Sequence, residues 1–453
     1  MDKPWKNYLP ALCGAIGTVL LAGTAWACLS LKRGGPPDRI AVAAALLLLA
    51  ALALALLRWE GCGRDTLLIL LLPIGAAMLF RALSLDYAGT DYKNFLTHWY
   101  AYFQEHGGFQ AVSHAVGDYN VPYLYFMAFI SYLSAPDLYL IKLFSIIFDV
   151  ILAWGCYRLV RSLTRERQGS AAPLIAFAAA LLLPTAVLNG AFWGQCDGIY
   201  GALCVHAAAC VLDGKNKTSV ALMALAFCFK LQAIFLLPLW GMLWLAGRVR
   251  FRELWVFPLT YLISIVPALL LGKPLGDILG IYFNQMGEYS SRLVLNAPTV
   301  YQLLPYGTED PGHLALLGVL AAGTLSLALL AAGFLFRGRM DNGLAMAAAV
   351  VLCVGVPFLL PYMHERYFFL ADVFTLCWAC ANWKRLPAAV LVEASSLASY
   401  ILYLRLKFNY TVTLGGLFYV MPLETAAMLA ALAFSLAMLV RELRNHRKGL
   451  KPA

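Results

Sequence analysis

Four short polar clusters interrupt a chain that is otherwise almost wholly apolar, and their residue types suit proton transfer and anion binding. The first runs Leu85-Asp86-Tyr87-Ala88-Gly89-Thr90-Asp91-Tyr92, followed by Phe95, His98, Trp99 and Phe103. A carboxylate such as Asp91 at the start of a helix can cap it, as Thr90 also can, or take a proton from a hydroxyl held where a lipid headgroup lies. The second is Asn189-Gly190-Ala191-Phe192-Trp193-Gly194-Gln195-Cys196-Asp197, whose Gln195 and Asp197 either cap the next helix or face a polar cavity beside Trp193. The third, Phe229-Lys230-Leu231-Gln232, sits inside an apolar stretch. A lysine there costs about 2.5–3.5 kcal/mol at mid-span, so it must snorkel, pair with an acid or bind an anion such as phosphate. The fourth, His364-Glu365-Arg366-Tyr367, packs a base, an acid and a guanidinium into one turn. Arg366 can hold phosphate oxygens in a two-pronged grip; the plainer reading is a polar link between spans.

The elements that position these clusters are membrane helices. Of 453 residues, 62% are hydrophobic and only 13% charged, against about 25% charged in soluble domains. With a mean hydropathy of +0.74, this excludes a soluble enzyme, a disordered chain and a nucleic-acid-binding module. The net charge of +10 comes from basic residues in short turns between apolar runs, the distribution that membrane insertion leaves. The eleven cysteines lie mostly inside those runs, with no metal-ligand spacing, and read as packing residues. Ala25-Trp26-Ala27-Cys28 faintly resembles a cleavage site, but the preceding run is long enough to span and further spans follow, which predicts a retained first helix.

Spans are expected at roughly 8–31, 40–57, 66–84, 138–158, 172–188, 197–212, 254–271, 314–336, 343–361, 367–382, 386–404 and 417–439. The stretch 218–247, broken at Lys230, adds two short helices, giving about fourteen crossings in all. A cytoplasmic C-terminus puts most of the Lys and Arg residues inside. Lys32, Arg33 and Arg39 then fall outside, against the rule, and 119–135, rich in tyrosine, must lie at the interface without crossing. On this topology the long polar segments 85–118 and 272–313, and the links near 189–197 and 362–366, share the outer face. The spacing of Phe95, Trp99, Tyr102 and Phe103 predicts an amphipathic helix on the bilayer surface. Chemistry on that face has no direct access to cytoplasmic nucleotide-sugars or ATP, so an activated substrate must arrive on a lipid. Asp149, with Lys142 two turns earlier, reads as a packed or paired group. Glu309, Asp310 and His313 read as a solvated loop, and the glycosylation-like matches at Asn216 and Asn409 as unused.

With Asp91-Tyr92 and Trp99, Phe192-Trp193-Gly194-Gln195-x-Asp197, Phe229-Lys230-Leu231-Gln232 and Met363-His364-Glu365-Arg366 in this order, the chain resembles the GT-C superfamily of membrane glycosyltransferases. Within it, the chain looks most like bacterial relatives of the glucosyltransferases and mannosyltransferases that extend lipid-linked oligosaccharides. The resemblance implies an all-α, polytopic GT-C-like bundle with interfacial helices in the first outer loop. Residues 66–453 would be the catalytic module, with outer loops at about 85–137 and 272–313, and 1–65 two extra spans without an assigned role. It implies inverting transfer of a hexose from a polyprenyl-phosphate-linked donor to a glycan, lipid or protein acceptor, at the outer face of the cell membrane. Asp91 would be the general base, with Asp86 as fallback. His364 and Arg366 would contact the donor phosphate, with Lys230 and Gln232 also at the phosphate or lining the cavity. Tyr92, Trp99, Trp193, Gln195, Asp197, Glu365, Arg292 and Asn296 would contact substrate, and the segment from Tyr289 to Pro298 resembles a loop that closes over the site. Neither metal nor cofactor is required, and the partners are membrane lipid, donor and acceptor, not nucleic acid. The chief alternative is a lipid-linked sugar flippase or other transporter, since broken helices and intramembrane charges mark those too. A polysaccharide polymerase or ligase would share the lipid-linked substrate.

Overall fold

Backbone that enters lipid must satisfy its hydrogen bonds within itself, and the chain accordingly folds almost entirely into helices. The structure, a computed structural model, describes residues 8–448 except 168, 289–292, 309–310 and 405–410. Among the described residues, nine helices are long and apolar enough to cross a membrane, or up to ten if the pair Ala172–Leu182 and Pro184–Trp193, bent by 42°, counts as one span. This count is lower than about fourteen because several expected spans are short helices: Asp197–Leu212, Asn216–Phe229, Leu231–Leu245 and Phe369–Ala381. The chain divides into two compact units.

The first unit comprises Met1–Tyr157, Leu174–Ala202 and Ile265–Ile278. It opens with three long helices, α1 (Leu9–Leu29), α2 (Pro36–Trp59) and α3 (Arg64–Ser84). α1 lies against α3 through small residues: a Cβ on Gly17 would stand 2.5 Å from the Leu71 carbonyl, and one on Gly75 would stand 2.7 Å from the Gly17 oxygen. Close approach of this kind is how helices associate where lipid removes the hydrophobic drive. After α3 comes a π-helical turn, Tyr92–Leu96, continuous with α4 (Thr97–Glu105). Its buried face is Tyr92, Leu96, Tyr100 and Phe103, while Phe95 is exposed. Of the expected stripe, Phe103 is thus buried within the protein while Phe95 lies on its surface. α5 (Val121–Ile130) has 10 residues, about 15 Å of helix against a hydrocarbon core of about 30 Å. It is too short to span alone, in keeping with a segment that does not cross.

Two buried charges on α6 (Asp137–Leu163) fix this unit. Asp149 pairs with Arg81 of α3 at 2.9 Å, both side chains being buried, rather than with Lys142. Lys142 donates to the carbonyls of Ser84, Leu85 and Tyr87 at 2.9, 3.0 and 2.7 Å. It thus adds a donor to carbonyls at and just past the end of α3, where helical partners run out. Asp149→Ala, which strands the Arg81 charge in the interior, is expected to cost about 3–5 kcal/mol, measured as a loss of thermal stability in detergent.

The second unit comprises Arg158–Pro173, Leu203–Ser264 and Leu279–Ala453. Its apolar stretch at 218–247 breaks where expected: helix Asn216–Phe229 stops at Lys230, which is extended (φ −153°, ψ 133°), and a 3₁₀ turn, Leu231–Phe235, follows. Two short strand pairs complete it. β1 (Val294–Leu295) runs parallel to β2 (Met363–His364). β3 (Thr411–Leu414) and β4 (Leu417–Val420) form a hairpin. Its two-residue turn, Gly415-Gly416, has positive φ at both positions (58° and 79°), as a type I′ turn requires. The last helix, Pro422–Arg447, therefore starts after this hairpin and not at 417.

Candidate active site

In the first unit the groups around Asp91 and Gln195 come together. Asp91 stands at the head of the Tyr92–Leu96 turn, and its side chain makes no capping hydrogen bond. Instead its Oδ2 accepts a hydrogen bond from Gln195 Nε2 at 2.6 Å. Gln195 Oε1 in turn accepts from the Tyr119 hydroxyl at 3.4 Å, and Tyr119 meets the Trp99 indole edge-on, centroids 5.7 Å apart. The Gln195 backbone is held as well: Ser145 Oγ donates to its carbonyl at 2.7 Å, and its N–H reaches the Asn189 carbonyl at 2.9 Å. That last bond closes a second π-helical segment, Leu188–Trp193, ended by Gly194 at φ 83°. Widened turns of this type recur at functional sites because they re-aim one side chain; here one precedes Gln195 and the other follows Asp91.

The neighbouring residues support this pair. Asp197 is buried and accepts from Asn189 Nδ2 at 2.8 Å. Trp193 is fully buried, close to Gly89 of the Asp91 loop. Gly190 and Gly198 lie so close to the Asp149 carboxylate that a Cβ at either would stand 2.9–3.1 Å from an oxygen. Tyr87 stacks on Phe192 at 3.8 Å. The Tyr92 hydroxyl donates to both Asp137 oxygens, at 2.8 and 3.0 Å. Asp86 accepts the Tyr139 hydroxyl at 2.6 Å and the Lys32 N–H at 3.2 Å from each oxygen. Sequence reading did not single out Tyr119, Ser145 or Tyr139 as partners, since nothing local in the sequence links them to the loop.

In the second unit Lys230, His364 and Arg366 gather about one aromatic ring. Lys230 Nζ lies 6.0 Å and Arg366 Cζ 5.9 Å from the Tyr367 centroid, and the His364 ring meets it at 5.2 Å. The Glu365 carboxylate is buried, with Oε1 3.5 Å from Arg366 Nη1 and 4.0 Å from His364 Nδ1. Gln232 is buried one 3₁₀ step beyond Lys230. β1 pairs Leu295 with His364, and Asn296 bridges to the same residue. Asn296 and Tyr362, on either side of this pairing, both have positive φ, 58° and 62°. For a tyrosine that backbone is an outlier, and strain of this sort persists where surrounding contacts fix the chain, often at binding sites. Arg292, also singled out in the sequence, lies outside the described residues, as do Glu309, Asp310, Asn409 and residues 289–291.

Burial, with Arg366 and Lys230 adding positive potential, lowers the His364 pKa from 6.5 to about 3. His364 is therefore a neutral imidazole near pH 7, and the charge of the cluster comes from Lys230 and Arg366 against Glu365. The folded state resists a proton that the unfolded chain accepts. The stability associated with neutral His364 is thus present above pH 6.5 and is lost as pH falls towards 3. Thermal unfolding in detergent is expected to show a smaller drop between pH 7 and pH 5 for His364→Gln than for wild type. Equal drops would mean that His364 does not carry this acid sensitivity.

Long apolar helices with polar clusters at their ends define a multi-pass, all-helical membrane protein. Residues 118–357 match the sequence model of glycosyltransferase family 87. That is more than half of the chain, which belongs to this GT-C-like family of membrane glycosyltransferases. The match takes in Gln195, Lys230 and Asn296 and stops short of Asp91 on one side and His364 on the other. No curated protein matches the chain.

Proposed function

We propose that this glycosyltransferase moves a hexose, with inversion, from a polyprenyl-phosphate-linked donor to a hydroxyl of a glycan, lipid or protein acceptor at the outer face of the cell membrane. The observation that carries the reading is the cluster of Lys230 and Arg366 around Tyr367, with neutral His364 beside them and Glu365 buried among them. Two cations against one carboxylate leave a surplus of positive charge in a largely desolvated place, which favours a phosphate.

In this reaction the acceptor oxygen forms a bond to the anomeric carbon while the bond from that carbon to the phosphate oxygen breaks. The acceptor proton passes to Asp91, oriented by the Gln195 amide at 2.6 Å. The departing polyprenyl phosphate gains one negative charge, which Arg366 and Lys230 stabilise, with His364 as a hydrogen-bonding partner. A leaving group that is already an anion needs charge stabilisation more than a strong acid, so a second catalytic carboxylate of the glycosidase type is not called for.

Purified protein in nanodiscs, given a panel of polyprenyl-phosphate sugars and a membrane glycolipid extract as acceptor, should release polyprenyl phosphate from one donor and glycosylate the extract. Turnover of nucleotide-sugars in place of the panel would overturn the donor class. Transbilayer movement of intact donor without release would point to a flippase.

A further inference from the structure

We infer that the turn joining the first two helices, residues 30–35, braces the loop that carries Asp91, and that Asp86 is the positioning residue through which the brace acts. The inference rests on the reading of Asp91 as general base.

Residues 87–89, just before Asp91, have no regular structure. Asp91 itself stands at the head of the helical turn that follows, and a carboxylate placed directly after irregular backbone keeps its aim only if other elements fasten that backbone. The fastening lies at both ends of the loop. At the entry, the Asp86 carboxylate accepts the Lys32 N–H and the Tyr139 hydroxyl, and the Tyr139 oxygen accepts the Arg33 N–H at 3.0 Å. At the exit, Tyr92 is tied to Asp137, while the Arg33 guanidinium lies 5.6 Å from its ring centroid. Lys142 holds three carbonyls between α3 and the loop. The turn itself is stiff: Asp38 Oδ2 accepts the Gly35 N–H at 2.8 Å, and Pro36 opens α2. One backbone N–H of the extra hairpin directly, a second through Tyr139, and one guanidinium thus act on a segment of seven residues with Asp91 near its end.

This gives residues 1–65, which lie outside the stretch matching the family, a task in the reaction. It also gives Arg33, whose guanidinium lies over the Tyr92 ring, a reason to sit where the charge rule disfavours it. Asp86 differs from Asp91 in its partners: its oxygens are engaged by the hairpin turn and by Tyr139, so it serves the loop and not the substrate.

The test uses the full-length protein in nanodiscs as wild type, Asp86→Ala, Asp86→Asn, Tyr139→Phe and Asp91→Asn. Hydrogen exchange is followed at residues 85–96, with 363–368 as control, alongside turnover of the donor that wild type accepts. Asp86→Ala should speed exchange at 85–92 by about tenfold without changing the control. It should lower kcat about 10–100-fold while donor KM stays within about twofold. Asp86→Asn keeps an oxygen acceptor and should stay within about threefold of wild type, a rescue that a general base would not allow. If the Asn variant is as inactive as the Ala variant, Asp86 is the base; if exchange at 85–92 does not change, there is no brace. Either result overturns the inference. Should Asp86→Ala fail to fold, Tyr139→Phe removes the shared hydroxyl and carries the same comparison. Exchange needs no substrate, so it judges the brace even if no donor turns over. Faster exchange together with a fully active Asp91→Asn would refute the base and leave the brace standing.

Discussion

Asp91→Asn is expected to lower transfer by about 10²–10⁴-fold, in kcat, with donor KM and thermal stability nearly unchanged. The substitution alters one oxygen and removes the only property the mechanism uses, the ability to accept a proton. An asparagine oxygen can still take the hydrogen bond that Gln195 now gives at 2.6 Å, so the Gln195–Tyr119 arrangement has no reason to rearrange. The asparagine amide is not a base at any accessible pH, and the acceptor hydroxyl would then have to attack before losing its proton. The loss should therefore appear in single-turnover rates of sugar transfer and not in donor binding. It should persist at high pH, where a merely weakened base would recover. A loss smaller than about threefold would show that no proton passes through Asp91 in the slow step.

How much of this was open to reading without coordinates depends on what each feature costs the chain. Asp91, Lys230, His364, Glu365 and Arg366 stood out because charge is expensive beside lipid and is not kept by accident. The break at Lys230 was legible for the same reason, and the helix does end at Phe229. Long spans were readable from composition, whereas the apolar runs at 197–212 and 367–382 fold as the shorter helices Asp197–Leu212 and Phe369–Ala381. An apolar run marks burial equally well in protein and in lipid.

Partnerships between distant residues left no such mark. Gln195 meets Asp91 across 104 positions, and Arg81 meets Asp149 across 68. No periodicity encodes either. The π turns, the positive φ values at Asn296 and Tyr362 and the two-residue pairing of β1 with β2 were equally hidden. Each is a local departure from ideal geometry imposed by packing. The hairpin at 411–420 was readable and was passed over: Gly415-Gly416 between Thr411-Val412-Thr413-Leu414 and Leu417-Phe418-Tyr419-Val420 is a strong turn signal. Hydropathy merged it with the helix that follows.

Arg366→Gln is expected to lower kcat by about 10²–10³-fold, the loss typical when a group aimed at developing charge is removed. Arg366→Lys should recover only part of it, because an ammonium supplies the charge without the paired donors that match phosphate oxygens. Lost stability could mimic this result, since Glu365 is buried with Oε1 3.5 Å from Arg366 Nη1, and removing the guanidinium takes away a cation that offsets its charge. Arg366→Gln should therefore also lower the unfolding temperature. The two effects separate in the double variant Glu365→Gln/Arg366→Gln, where the uncompensated carboxylate is gone. Its unfolding temperature should return towards wild type while turnover stays low, because a neutral pair relieves the burial cost but supplies nothing to the departing phosphate. Recovery of both would make Arg366 a structural partner of Glu365 and nothing more. Recovery of stability alone assigns the guanidinium to the chemistry, and it explains why so tight a turn carries an acid between an imidazole and an arginine: Glu365 keeps the half-buried cation aimed when no phosphate is bound.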